Sequence, residues 1–123
     1  MGFYHSTRSA SPTVTSKEAI RRGIAPDGGL FVSDDLGGTT IDISTLASKD
    51  YPTLAREVMG ALLPDYSADE IAACVDEAYT GTFASSEVTP LVPLSQAPNA
   101  DGTPTYVMEL FGGPTSAFKD VAL

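Results

Sequence analysis

The sequence predicts an α+β or α/β chain, with a small helical domain with short strands over residues 1–85. A β-hairpin and the start of one more helix follow over residues 86–123. Two Ser/Thr-x-x-Glu capping patterns, Thr15 to Glu18 and Ser67 to Glu70, open helical segments in the first part. In the second part, apolar runs with Pro, Gly and Asn punctuation replace helical spacing, and Gly112-Gly113-Pro114 breaks the last run before a helix-compatible pattern. At 123 residues, a compact chain buries roughly two-thirds of its unfolded surface.

Taken in order, Phe3-Tyr-His-Ser-Thr7 reads as a short strand, and residues 9–14 as a loop. Thr15 and Glu18 form a capping box for a helix that Gly23 ends. Ala25-Pro-Asp-Gly28 suits a type I turn, with proline second and glycine fourth, ahead of a strand over residues 30–32. The Pro-Asp-Gly-Gly run reads as a turn, and Asp27 receives no catalytic role. A polar loop covers residues 34–40 and a short irregular or helical segment residues 41–48. From Pro52, the residues Leu54, Ala55, Val58, Met59 and Leu62 recur at three- and four-residue steps and define one apolar helix face. Pro64 and Asp65 break that helix. The Ser67 box starts the next, with Ile71, Val75, Ala78 and Tyr79 on its apolar face and Gly81 at its end. These two helices are expected to pair as a hairpin, with Leu54, Val58, Leu62, Ile71 and Val75 in the core. Residues 88–94 carry Pro90 and Pro93, which suits an edge strand. Asn99-Ala-Asp-Gly102 is a turn, and residues 106–111 form the strongest strand signal in the chain.

Sixteen acidic residues against seven basic ones give a formal charge of −9. That balance disfavours nucleic acid and anionic membrane as partners, because phosphate contacts rest on clustered Lys and Arg. No run approaches the ~18 apolar residues of a membrane span, and the N-terminus lacks a signal-peptide pattern. The expected location is cytoplasmic. Cys74 is the only cysteine and His5 the only histidine, so neither a disulfide nor a metal cluster is predicted. Asp69, Glu70, Asp76 and Glu77 read as a solvated helix face.

The chemistry-bearing candidate is Lys119, set between Phe118 and an apolar end. A lysine amine becomes a nucleophile when desolvation or a nearby positive potential disfavours its ammonium form. A helix capped by Thr115 or Ser116 would put Lys119 in a first turn, where the dipole opposes an ammonium. Ala117, Phe118, Val121 and Leu123 would strip water from it. On spacing alone, an ordinary surface lysine whose stem covers apolar neighbours is the stronger reading.

The run Glu109-Leu-Phe-Gly-Gly-Pro-Thr-Ser-Ala-Phe-Lys-Asp-Val-Ala-Leu123 resembles the cofactor-lysine segment of the threonine synthases, ELFHGPT-x-AFKDVAL. Thirteen of its fifteen positions fit; Gly112 stands where the family commonly has His, and Ser116 occupies a variable position. Tyr4-His-Ser-Thr-Arg8 resembles the family's opening Y-x-STRG, with Ser9 in place of Gly. Gly23-Ile-Ala-Pro-Asp-Gly-Gly-Leu-Phe-Val32 resembles its GLAPDGGLYV.

The resemblance implies the N-terminal portion of a tryptophan-synthase-β-like (fold type II) enzyme dependent on pyridoxal 5'-phosphate. That family converts O-phospho-L-homoserine and water to L-threonine and phosphate. It implies Lys119 as the catalytic, cofactor-holding residue, with Phe118 beside the cofactor and Asp120 flanking. It also implies that the segments binding the cofactor phosphate and the substrate lie beyond Leu123. The chain alone is then expected to be inactive and to bind the cofactor weakly, with self-association through its apolar end. Two other readings stay open: a related phospho-lyase that releases a keto acid, and a non-catalytic association domain.

Overall fold

The computed structural model describes residues 3–96 and 98–122. They form two compact units, Met1–Val75 and Asp76–Leu123. In the first, β1 (Tyr4–Ser6) lies between β2 (Ser9–Val14) and β3 (Phe31–Ser33), antiparallel to both. His5 faces Val32 in register, and Ser6 faces Phe31 on one side and Ser9 on the other. The strand at residues 9–14 corrects the predicted loop. Its Ser, Pro and Thr content hid the pairing, and such composition suits an edge position, which is where β2 lies.

Helix α1 (Ser16–Arg22) begins as predicted, with the Thr15 hydroxyl accepting from the Glu18 amide at 3.2 Å, and ends at Gly23 with φ 73°. The box is only half closed. Arg21 and Arg22 take the Glu18 carboxylate at 2.6–2.7 Å, so it does not return to the helix start. The first turn of α1 is instead held from a distance. Asp65 accepts from the Ser16 and Lys17 amides, both at 3.0 Å, and from the Ser16 hydroxyl.

After a short helix α2 (Ile43–Leu46), α3 (Tyr51–Leu62) starts from Asp50, whose carboxylate accepts from the Thr53 amide at 2.9 Å. In α4 (Ala68–Tyr79) the Ser67 box is complete: Glu70 donates its amide to the Ser67 hydroxyl at 3.2 Å, and its carboxylate accepts from the Ser67 amide at 2.8 Å. The first unit buries Ala19, Ala25, Leu46, Ala55, Ile71 and Val75. Ile71 and Val75 are core as predicted, whereas Leu54, Val58 and Leu62 are only half-buried. The correction has a simple cause. Ala55 is the most buried point of α3, so the longer side chains at 54, 58 and 62 flank the contact line instead of forming it.

The second unit carries β4 (Leu91–Leu94) and β5 (Thr105–Met108), an antiparallel pair with Leu91 opposite Met108 and Pro93 opposite Tyr106. Leu91, Val92, Leu94, Tyr106, Val107 and Met108 are all exposed, so this ribbon is bare on both faces. The predicted turn is present, with the Gly102 amide donating to the Asn99 carbonyl at 2.9 Å.

Candidate functional site

The three motifs fall into two constellations, one in each unit. In the first unit the Ser-Thr-Arg and Pro-Asp-Gly-Gly motifs are tied together. The Ser6 hydroxyl donates to Asp27 Oδ1 at 2.7 Å, and the Gly29 amide donates to the same oxygen at 2.9 Å. Arg8 Nη1 donates to the Asp27 carbonyl at 2.9 Å, and the Leu30 amide donates to the Thr7 hydroxyl at 3.1 Å. The Ser6 hydroxyl bond and then the Gly29 amide hold the Asp27 carboxyl below its ordinary range. Glycine is required at 29, because an added Cβ would lie 2.1 Å from Ser6 Oγ. The predicted turn function of Asp27 is therefore correct but incomplete: Asp27 is also the clamp between motifs. Only the two motifs' own side chains signalled this, since neither spacing nor periodicity links residue 6 to residue 27.

The second constellation surrounds Lys119. Its segment is a single 3-10 turn (Phe118–Val121) with Ala117 before it and no side-chain cap. This corrects the capped α-helix predicted from Thr115 or Ser116. Ser116 has φ 60°, a left-handed conformation outside any helix start. Thr115 is occupied elsewhere: its amide donates to Asp120 Oδ2 at 2.8 Å and its hydroxyl to Asp120 Oδ1 at 2.6 Å. Two further bonds fix the turn. The Tyr79 hydroxyl donates to the Val121 carbonyl at 2.8 Å, and the Ala84 amide to the Gly112 carbonyl at 2.9 Å.

Lys119 is exposed, and so is Phe118 at 66%. The predicted stripping of water from the amine by Ala117, Phe118 and Val121 is therefore not a feature of this turn; Leu123 lies outside the described residues. What distinguishes Lys119 is its freedom. Of the three lysines in the chain, Lys17 pairs with Glu70 at 2.8 Å and lies 4.9 Å from the centre of the Tyr66 ring, while Lys49 pairs with Glu57 at 2.8 Å. Among the described residues Lys119 has no ion-pair partner. A primary amine on a braced turn, with no carboxylate partner among the described residues, can condense with an aldehyde in its neutral form, so the donor chemistry fits pyridoxal 5'-phosphate. Among the described residues no group of three or more His, Cys, Asp or Glu side chains could hold a metal ion. Nor is any helix among them long and apolar enough to cross a membrane.

The family model described as threonine synthase N terminus matches residues 3–79. The chain is 42% identical over 123 residues to threonine synthase from Schizosaccharomyces pombe, covering 98% of this chain and 22% of that protein. It is 41% identical to the Saccharomyces cerevisiae enzyme, with 98% and 24% covered. Among solved structures, yeast threonine synthase matches with a TM-score of 0.81 at 36% identity, over 96% of this chain and 23% of that one. A pyridoxal-phosphate-bound threonine synthase from Brucella melitensis matches with a TM-score of 0.81 at 33% identity, over 98% and 25%. The chain spans about a quarter of the length of these relatives.

Short strands and capped helices leading to a β-ribbon and a lysine turn are the architecture of a fold type II pyridoxal-phosphate enzyme at its N-terminal end. The chain belongs to the threonine synthase family, through the region that the N-terminal family model describes.

Proposed function

We propose that this chain supplies the cofactor lysine of a threonine synthase, which converts O-phospho-L-homoserine and water to L-threonine and phosphate. Residues 1–85 serve as its N-terminal domain, and residues 86–123 as the beginning of the cofactor-binding domain. The observation that carries the reading is the state of the three amines. Lys17 and Lys49 are committed to glutamates, and Lys119, with no ion-pair partner among the described residues, sits on a braced turn inside the segment that resembles the family's cofactor-lysine motif.

Lys119 would hold pyridoxal 5'-phosphate through Nζ, with Phe118 beside it. When bound, the cofactor supplies the electron sink for removing protons next to the substrate amine. Lys119 Nζ would accept and return protons on one face of the substrate. A mobile four-carbon stem lets one amine serve more than one carbon. The phosphate of the cofactor needs a cradle of backbone amides such as a glycine-rich loop at a helix N-terminus offers. Gly112-Gly113 is too short for that, so the cradle belongs to another segment of the enzyme.

A second reading is a phospho-lyase that releases a keto acid, since the same lysine motif would serve both reactions. Product analysis separates the two. The protein as its gene encodes it, given pyridoxal phosphate and O-phosphohomoserine, is expected to yield threonine and phosphate in equal amounts. A keto acid in place of threonine would establish the second reading, and no turnover would end both.

A further inference from the structure

We infer that Asp120 is a positioning residue for Lys119, acting by clasping Thr115 across the lysine turn; the inference rests on the reading of Lys119 as the cofactor lysine. Both carboxylate oxygens are committed to one residue. Oδ2 accepts from the Thr115 amide at 2.8 Å, and Oδ1 from the Thr115 hydroxyl at 2.6 Å. The clasp closes the backbone over residues 115–120 and so fixes the Cα from which the Lys119 stem starts. Residue 116 is held in its left-handed conformation inside that loop, with φ 60°. An unclasped chain would have little reason to keep a serine there.

The approach of the carboxylate is itself built in. An added Cβ at Gly113 would lie 2.5 Å from Asp120 Cβ and 2.6 Å from Oδ2, so only glycine leaves room for the clasp. Gly112, one residue earlier, has nothing within 4 Å of such a Cβ. Of the two adjacent glycines, only one is shaped around Asp120. The bond from the Thr115 hydroxyl, opposed by some burial, lowers the Asp120 carboxyl's pKa, which keeps it an acceptor.

With both oxygens turned to Thr115, Asp120 stiffens the turn without becoming the counter-ion of Lys119. The bare lysine stem has much rotamer freedom to lose, so a fixed starting point is worth having before the cofactor arrives.

The test follows capture of pyridoxal phosphate by the cofactor-free protein as its gene encodes it, read from growth of the visible absorbance band. Thr115→Val and Asp120→Asn are expected to slow capture roughly tenfold or more, as misplacement of a reacting group does. Thr115→Ser, which keeps the hydroxyl, is expected to restore the wild-type rate; a role confined to packing would not separate Ser from Val in that way. Circular dichroism confirms that each variant folds, and Thr115→Val, which leaves every charge in place, decides the matter if Asp120→Asn does not fold. Wild-type capture by Thr115→Val, or capture by Thr115→Ser as slow as by Thr115→Val, would overturn the inference. Capture by Lys119→Ala at the wild-type rate would instead overturn the cofactor-lysine reading, and this inference with it.

Discussion

The Tyr79 hydroxyl donates to the Val121 carbonyl at 2.8 Å, joining the last residue of α4 to the turn that carries Lys119, forty-two positions later. Tyr79 also lies 5.9 Å from Phe83, ring centre to ring centre, so its ring is held from the side while its hydroxyl reaches the turn. Tyr79→Phe keeps the ring and removes the bond. Leaving a part-buried carbonyl without its donor is expected to cost about 1 kcal/mol in urea unfolding, and to speed hydrogen exchange at residues 118–122 more than elsewhere. Unchanged exchange in that segment would show that the turn is held without Tyr79.

The adjacent glycines of the lysine segment should respond in opposite ways. Gly113→Ala brings a methyl against Asp120 at 2.5 Å and is expected to destabilise by ~1–3 kcal/mol. Gly112→His, which installs the residue common in the family, meets open space and is expected to change stability by less than ~0.5 kcal/mol. Thermal melts of the two variants check both; equal losses would mean that the Asp120 clasp does not set the space at 113.

Acid should weaken the fold in a defined window. Bonds from Lys17, then from the Ser67 amide and hydroxyl, hold the Glu70 carboxyl at about 2, against an ordinary 4.5. Arg21 and then Arg22 hold Glu18 at about 2 in the same way. Folded carboxyls that bind protons more weakly than unfolded ones contribute stability that is complete above pH 4.5 and is lost as pH falls through 2. Urea midpoints are therefore expected to drop between pH 4.5 and 2, less steeply in high salt because both pairs are exposed. Lys17→Met should flatten part of that slope, and a wild-type midpoint constant over the window would contradict the assignment.

Core substitutions measure how far the helix faces were read correctly. Ile71→Ala empties a site that is 5% exposed and is expected to cost ~2–5 kcal/mol. Leu62→Ala, at a half-buried position, is expected to cost roughly 1 kcal/mol. Chemical denaturation of both gives the ratio; equal costs would put the α3 face back where the apolar spacing alone placed it.

Much of this architecture was legible because local chemistry wrote it. The Thr15 and Ser67 helix starts, the Gly23 stop and the Asn99-Gly102 turn each depend on residues within four positions of one another. What escaped depends on distance. Ser9–Val14 is a strand only because β1 accepts it, and Asp65 caps α1 from forty-nine residues away. The Lys119 turn escaped for a related reason: its pattern permits a helix, but Asp120 takes the Thr115 side chain that would have capped one. Lys119 itself was singled out by its motif, since its spacing alone fits a surface lysine better. Its freedom from carboxylates among the described residues emerges only when all three lysines are placed in space.

The central claim, that Lys119 is the amine that holds the cofactor, is tested most directly by trapping. The protein as its gene encodes it is loaded with pyridoxal phosphate and reduced with borohydride, and the modified peptide is mapped by mass spectrometry. Stoichiometric label on Lys119, with Lys17 and Lys49 unmodified and no stable label in Lys119→Ala, is the expected result. Label on Lys17 or Lys49 in preference to Lys119 would contradict it.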